Sequence, residues 1–127
     1  GLLAVSGAGL LALCYYLLRR EAAGNSRRLQ AAQAAEIRFR TLADSAPVMI
    51  WMADPAQGNY YFNRTWLEFT GRGQAEEARG GWEEGVHPDD RERVRATWTH
   101  AETQREPYKL EYRLRRRDGQ WRWVLDT

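Results

Sequence analysis

Few side chains of this 127-residue chain are of types that perform chemistry: two histidines, His87 and His100, and one cysteine, Cys14. His87 lies beside Asp89 and Asp90, a grouping that could be sketched as a metal site. The same residues read better as a helix start. Pro88 suits the first helical position, and the two acids complement the positive end of the helix. His100 stands two residues beyond Trp98, on a different face of the same helix. A lone cysteine excludes a disulfide framework and a cysteine-based zinc finger. No P-loop, GxGxxG, HExxH or Ser/His/Asp frame is present, so no catalytic or metal-ligating residue is assigned. The chain is nonetheless rich in aromatics, with six Trp, six Tyr and three Phe. With 43% apolar residues, that content excludes a disordered chain.

Several segments must position these residues, and the first differs from the rest. Gly1 to Leu18 reads GLLAVSGAGLLALCYYLL, without a charge. About 18 residues at about 1.5 Å each reach roughly 27 Å, close to the hydrocarbon thickness of a bilayer. Tyr15 and Tyr16 sit where an aromatic belt would lie, and Arg19 and Arg20 follow at once. Residues 1–18 are therefore expected to form a transmembrane helix, with the remainder on the cytoplasmic side. The basic residues follow the apolar run, the reverse of a signal peptide. Residues 1–40 hold six Arg and two Glu, net +4, whereas residues 41–127 hold 13 basic and 15 acidic residues, net −2. The basic excess thus belongs to the segment next to the lipid, which replaces a nucleic-acid reading of the charge. The chain opens on Gly in mid-segment, as a piece of a longer protein would.

Residues 19–46 read as a linker helix rich in Ala, Arg, Gln, Glu and Leu. Gly24-Asn25-Ser26 is expected to interrupt it and cap a new start. Ala32, Ala35, Phe39, Leu42 and Ala46 trace a short heptad seam. A two-stranded coiled coil and a single amphipathic helix lying on the domain behind it both stay open. Pro47 stops the helix.

Residues 47–127 read as a small α+β domain. Val48 to Ala53 suits a strand buried on both faces. Gln57-Gly58-Asn59 is a turn, and Tyr60 to Phe62 a second strand. Asn63 can cap a helix whose inner face is Trp66, Phe69 and Thr70, closed by Gly71. A polar, Gly-rich loop or short helix covers 71–81. A longer helix starts at His87-Pro88, buries Val94, Trp98 and Ala101, and ends near Arg105. Tyr108 to Leu114 and Trp121 to Leu125 then alternate apolar and polar residues around Asp118-Gly119. A two-residue type I′ turn there would place Leu114 opposite Trp123 and Tyr112 opposite Leu125, all on one face. That register also sets Arg115 against Arg122 and Glu111 against Asp126, like-charge pairs with an energetic cost.

Four stretches resemble PAS domains of the bacterial PAS/PAC type: Phe39 to Pro47, Asn63 to Gly71, His87-Pro88-Asp89-Asp90, and Tyr112 to Gly119 with Trp121-Arg122-Trp123. The resemblance covers about residues 36–127. It implies a five-stranded antiparallel sheet with helices on one face. The fifth strand would follow the second hairpin and lie between it and the first strand. The chain reaches Thr127 before it, so an incomplete PAS domain over 47–127 is expected, with a gap at that place.

Met49, Trp51, Trp66, Phe69, Trp98, Tyr112 and Trp123 would then line a cleft between sheet and helices, as plain core or as a ligand pocket. Haem-binding members of the family carry an axial histidine on the long helix; the matching register here falls near Val94, which argues against haem. The flavin photoreceptors need a cysteine in a GRNCRFLQ-like motif, and Cys14 lies elsewhere. No cofactor is therefore assigned, while non-covalent flavin or another small ligand stays open. The resemblance implies a sensory module of an inner-membrane signal-transduction protein, a sensor histidine kinase. Its partners would be the bilayer through residues 1–18, a second copy of the chain, and an output domain C-terminal to it. A diguanylate cyclase or phosphodiesterase parent, or a ligand-free dimerisation module, are the alternatives.

Overall fold

A computed structural model describes residues 7–54 and 58–127. The chain divides into two compact units, Gly1–Thr41 and Leu42–Thr127.

The first unit is helical throughout its described part. Helix α1, Gly7–Ser45, runs 39 residues and enters the second unit with its last turn. The expected break at Gly24-Asn25-Ser26 is absent. The Ala, Arg, Gln and Leu residues around it are strong helix formers, and they offset about 1 kcal/mol for one internal glycine. Residues 1–6 of the expected membrane span lie outside the described residues. Among those described, no helix is long and apolar enough to cross a membrane, so the expected span is not met there. At the other end Ala43, rather than Leu42 of the heptad seam, is the buried residue; Leu42 is 65% exposed.

The second unit is α+β. Strands β1, Trp51–Asp54, and β2, Asn59–Phe62, pair antiparallel with Trp51 opposite Phe62. Part of the expected turn between them lies outside the described residues. Strand β1 is shorter than expected and alternates rather than being buried on both faces: Trp51 and Ala53 are half-buried, while Met52 and the preceding Val48 are exposed. The free edge of β2 is covered by a side chain. The amide of Gln74 accepts from Phe62 N at 3.1 Å and donates to the Tyr60 carbonyl at 2.7 Å, as a neighbouring strand would.

Helix α2, Arg64–Thr70, is capped as its sequence indicates. The Asn63 side chain accepts from Trp66 N, and Gly71 closes the helix in the left-handed region at φ 70°. The stretch that could be loop or helix is both. Short helices α3, Gln74–Glu76, and α4, Trp82–Gly85, flank a π-type turn at Glu77–Gly81, kinked at Arg79 and Gly80. Helix α5, Pro88–Gln104, begins at His87, whose Nδ1 accepts from Asp89 N at 3.2 Å. It ends on Arg105 at φ 52°. His87 is therefore a cap. Among the described residues no group of three or more His, Cys, Asp or Glu could hold a metal ion.

Strands β3, Leu110–Arg115, and β4, Trp121–Asp126, form the second hairpin, and here the expected register fails by one residue. Leu114 lies opposite Arg122, Tyr112 opposite Val124 and Leu110 opposite Asp126. The loop is longer than two residues. Gly119 N donates to the Arg116 carbonyl and Arg116 N to the Gln120 carbonyl, each at 2.8 Å, with Gly119 at φ 84°. This is a turn followed by a glycine bulge, which spaces the strands by three residues. The extra residue inverts β4. Val124 and Asp126 turn inward, and Trp121, Trp123 and Leu125 turn out, 38%, 65% and 56% exposed. It also removes the like-charge pairs: Arg115 now faces Trp121, and Glu111 faces Leu125.

The resemblance implies one sheet. The described strands instead form two sheets of two, β1–β2 and β3–β4, with no strand between them. The core joins them through Phe62, Trp66, Val86, Val94, Leu110, Tyr112 and Leu114. At the far end Arg117 N donates to the Phe69 carbonyl at 2.8 Å, tying the hairpin loop to the end of α2.

Candidate functional site

A small cavity of about 20 Å³ lies inside the second unit, room for about one water molecule. Its wall is mainly aromatic. The first hairpin contributes Trp51, Tyr60 and Phe62; α2 contributes Trp66, and α4 Trp82. Helix α5 adds Val94 and Trp98, and β3 with its approach adds Tyr108, Leu110 and Tyr112. One charged residue completes it, Asp126 near the end of β4. The periodicities of the elements explain the lining. Trp66 is the inward residue of a helix fixed by its Asn63 cap. Val94 and Trp98 are one helical turn apart. Leu110 and Tyr112 alternate inward on β3.

Asp126 is half-buried and held by neutral donors. Trp51 Nε1 lies 3.2 Å from both of its oxygens, Tyr108 OH donates at 3.0 Å and Tyr112 OH at 3.4 Å. Burial pushes its carboxyl above the ordinary range, against the pull of these three bonds. Burial likewise raises both tyrosine hydroxyls, so they stay protonated donors. Trp51 and Trp98 meet with ring centroids 6.2 Å apart and planes tilted by 53°.

Trp51, Trp98, Tyr108 and Asp126 also border a larger open groove of about 590 Å³. It runs along β1 past Met49, Ile50 and Met52 to Leu125 and Thr127, with Glu102 of α5 at its side. The cavity and the groove thus share one aromatic wall and one carboxylate.

Two other buried acids are paired. Asp90, 5% exposed, accepts from Arg113 Nε at 2.9 Å, Nη2 at 3.0 Å and backbone N at 3.0 Å. The Arg113 guanidinium holds its carboxyl well below the usual carboxylate range. Glu77, 1% exposed, accepts from the Trp66 indole at 2.7 Å, and its other oxygen lies 3.7 Å from Arg72 Nε. Burial raises its carboxyl.

Of the seven residues expected to line a cleft, the structure brings Trp51, Trp66, Trp98 and Tyr112 together around the cavity. Met49 lines the adjoining groove. Phe69 packs against the core outside the lining. Trp123 is on the opposite face, its ring 5.2 Å from the Arg113 guanidinium carbon, because of the longer hairpin loop. Sequence reasoning missed Asp126 for the same reason. The signal was there: Arg117-Asp118-Gly119 ends in glycine, which also suits a three-residue loop with its last residue left-handed. Trp82 had no such signal, since it stands in a Gly-rich stretch without periodicity.

Residues 59–127 match a family model described as the PAS fold. The chain is 43% identical over 100 residues to an uncharacterized protein, y4lL, of Sinorhizobium fredii; the match covers 79% of this chain and 12% of that protein. It is 36% identical over 107 residues to the two-component sensor PprA of Pseudomonas aeruginosa, covering 79% of this chain and 11% of the sensor. The chain therefore spans only about a ninth of the length of these relatives. No solved structure matches it significantly.

Proposed function

The chain belongs to the PAS fold family, and on that premise we propose that it is the sensory module of a membrane-anchored two-component sensor histidine kinase. The observation that carries this reading is its 36% identity to a protein named as a two-component sensor. The aromatic core supports it, because the residues around its water-sized cavity come from both hairpins and from α2, α4 and α5 and so couple those elements. A molecule that fits one arrangement of those elements better than another would shift the balance between them. In a dimer of the parent protein, that shift would be relayed to an output domain on the same chain. Anchoring is read from the uncharged stretch Gly1 to Leu18 followed by Arg19 and Arg20, which would leave the PAS portion on the cytoplasmic side of the inner membrane.

The parent protein, purified and incubated with labelled ATP, is expected to take up label as acid-labile, alkali-stable phosphohistidine. Production of a cyclic dinucleotide from GTP, with no label retained from ATP, would instead identify a cyclase and overturn the kinase assignment. The same protein is expected to stay in the pellet when membranes are washed with alkaline carbonate. Release into the supernatant would refute the anchor.

A further inference from the structure

The two deeply buried acids of the second unit, Asp90 and Glu77, are not satisfied alike. Asp90 receives three N–H bonds from Arg113. Glu77, 1% exposed, receives one, from the Trp66 indole to Oε2. Among the described residues no donor reaches its Oε1, and Arg72 Nε stands 3.7 Å from it, beyond hydrogen-bond range. A buried carboxylate oxygen left in this way is costly, and a proton on it removes the cost.

The surrounding charges favour the same event. Arg72 is shared, since its Nη1 lies 3.2 Å from Glu84 of α4. Glu76 and Glu84 both act on Glu77 as like charges. Glu83 is turned away to Arg95 at 2.6 Å. Strand β3 brings the Tyr112 hydroxyl, which stays protonated, and β2, packed on the same turn, carries no charged residue. Three carboxylates thus compete for one guanidinium. A proton on Glu77 leaves Arg72 with Glu84, an ion pair already formed.

The place is mechanically sensitive. Glu77 opens the π-type turn that closes at Gly81, a conformation frequent at functional sites. Arg72 Nη1 also donates to the Gly81 carbonyl at 3.0 Å, so one side chain ties the first residue of the turn to the last. The turn is folded closely on itself: a Cβ on Gly81 would collide with the Glu76 carbonyl. It connects to the cavity wall at both ends, through the Trp66 indole bonded to Glu77 and through Trp82, which follows Gly81.

We propose that Glu77 is a proton-operated latch: protonated at Oε1 it releases Arg72, which then holds only Gly81 and Glu84, and the turn between Trp66 and Trp82 is reset. The inference goes beyond the sensory reading and holds for a kinase or a cyclase parent alike.

The test is a pH titration, by nuclear magnetic resonance, of the six indole N–H signals of the full chain carrying isotopically labelled tryptophan. Trp66→Phe and Trp82→Phe assign the two signals of interest. Both are expected to move together, with a common midpoint above the 4.5 of an ordinary glutamate, because burial disfavours the charged form. In Glu77→Gln, which fixes the neutral form, both are expected at the acid positions of the parent chain and without titration. Should that variant fail to fold, Arg72→Gln serves instead: loss of the positive neighbour is expected to move the midpoint to higher pH, and an unmoved midpoint would overturn the latch. A midpoint at or below 4.5, or a titration that survives Glu77→Gln, would overturn the assignment of the proton to Glu77. A titrating Trp66 beside an unresponsive Trp82 would overturn the movement of the turn. None of these results bears on the sensor reading, which the phosphohistidine assay decides separately.

Discussion

Asn63 spends every hydrogen-bonding group of its side chain on the fold. Its Oδ1 accepts from Ile50 N at 2.8 Å and Trp66 N at 3.1 Å; its Nδ2 donates to the carbonyls of Ala43 at 2.8 Å and Val48 at 2.9 Å. With 0% exposure, no water can replace these bonds. Asn63→Ala is expected to cost about 3 kcal/mol in urea denaturation, more than an ordinary cap, because it strands buried backbone groups as well. Asp90 gives a pH signature. The folded chain holds its carboxyl well below the ordinary 3.8, chiefly through Arg113, so the unfolded chain takes up a proton first as pH falls. The stabilisation is complete above the unfolded value and lost below it, so the urea midpoint should drop between about pH 4 and pH 2. Asp90→Asn should lower stability by about 2 kcal/mol at pH 7 and flatten the profile in that window. The Asn63 cap was legible in the sequence because a cap is a local device. The Asp90–Arg113 pair was not, since 23 positions separate its partners and only the packing of α5 on β3 brings them together.

At the level of elements, two glycines with positive φ separate two kinds of constraint. A Cβ on Gly119 would meet nothing within 4 Å, so Gly119→Ala pays only for its left-handed backbone, about 1 kcal/mol. A Cβ on Gly71 would lie 2.8 Å from Arg117 Cβ, where α2 and the hairpin loop touch. Gly71→Ala is expected to cost about 2 kcal/mol or more, the larger loss of the two by thermal denaturation. The same hairpin marks where pattern reading stops. Alternation along β3 and β4 is plain in the sequence, and both strands form. Which face of β4 is inside depends on whether the loop holds two residues or three, and Asp118-Gly119 is compatible with either. A wrong loop length therefore placed Trp123 in the site and left Asp126 out of it.

For the whole molecule, the division into Gly1–Thr41 and Leu42–Thr127 makes a prediction about trimming. A chain begun at residue 42 keeps the Ala43 carbonyl for Asn63, and the Asp44 carboxylate for Tyr61 OH and Arg64 N. One begun at residue 47 loses these along with the Ala46 carbonyl that accepts from Thr65. The shorter chain is expected to be less stable than the longer by about 3 kcal/mol in denaturant titration. The composition of the cavity was legible in outline, since an aromatic-rich domain must bury most of its rings. Its charge was not, because that hangs on one residue of β4. The distribution of tryptophan also has an optical consequence. Trp51, Trp66, Trp82 and Trp98 line the cavity, while Trp121 and Trp123 stand outside it on β4. The emission of the domain is thus a sum of an inner and an outer set, and iodide should quench the outer one first. Replacing the outer pair by phenylalanine would leave a fluorescence that reports the interior alone, so that a change of colour would signal an event at the cavity.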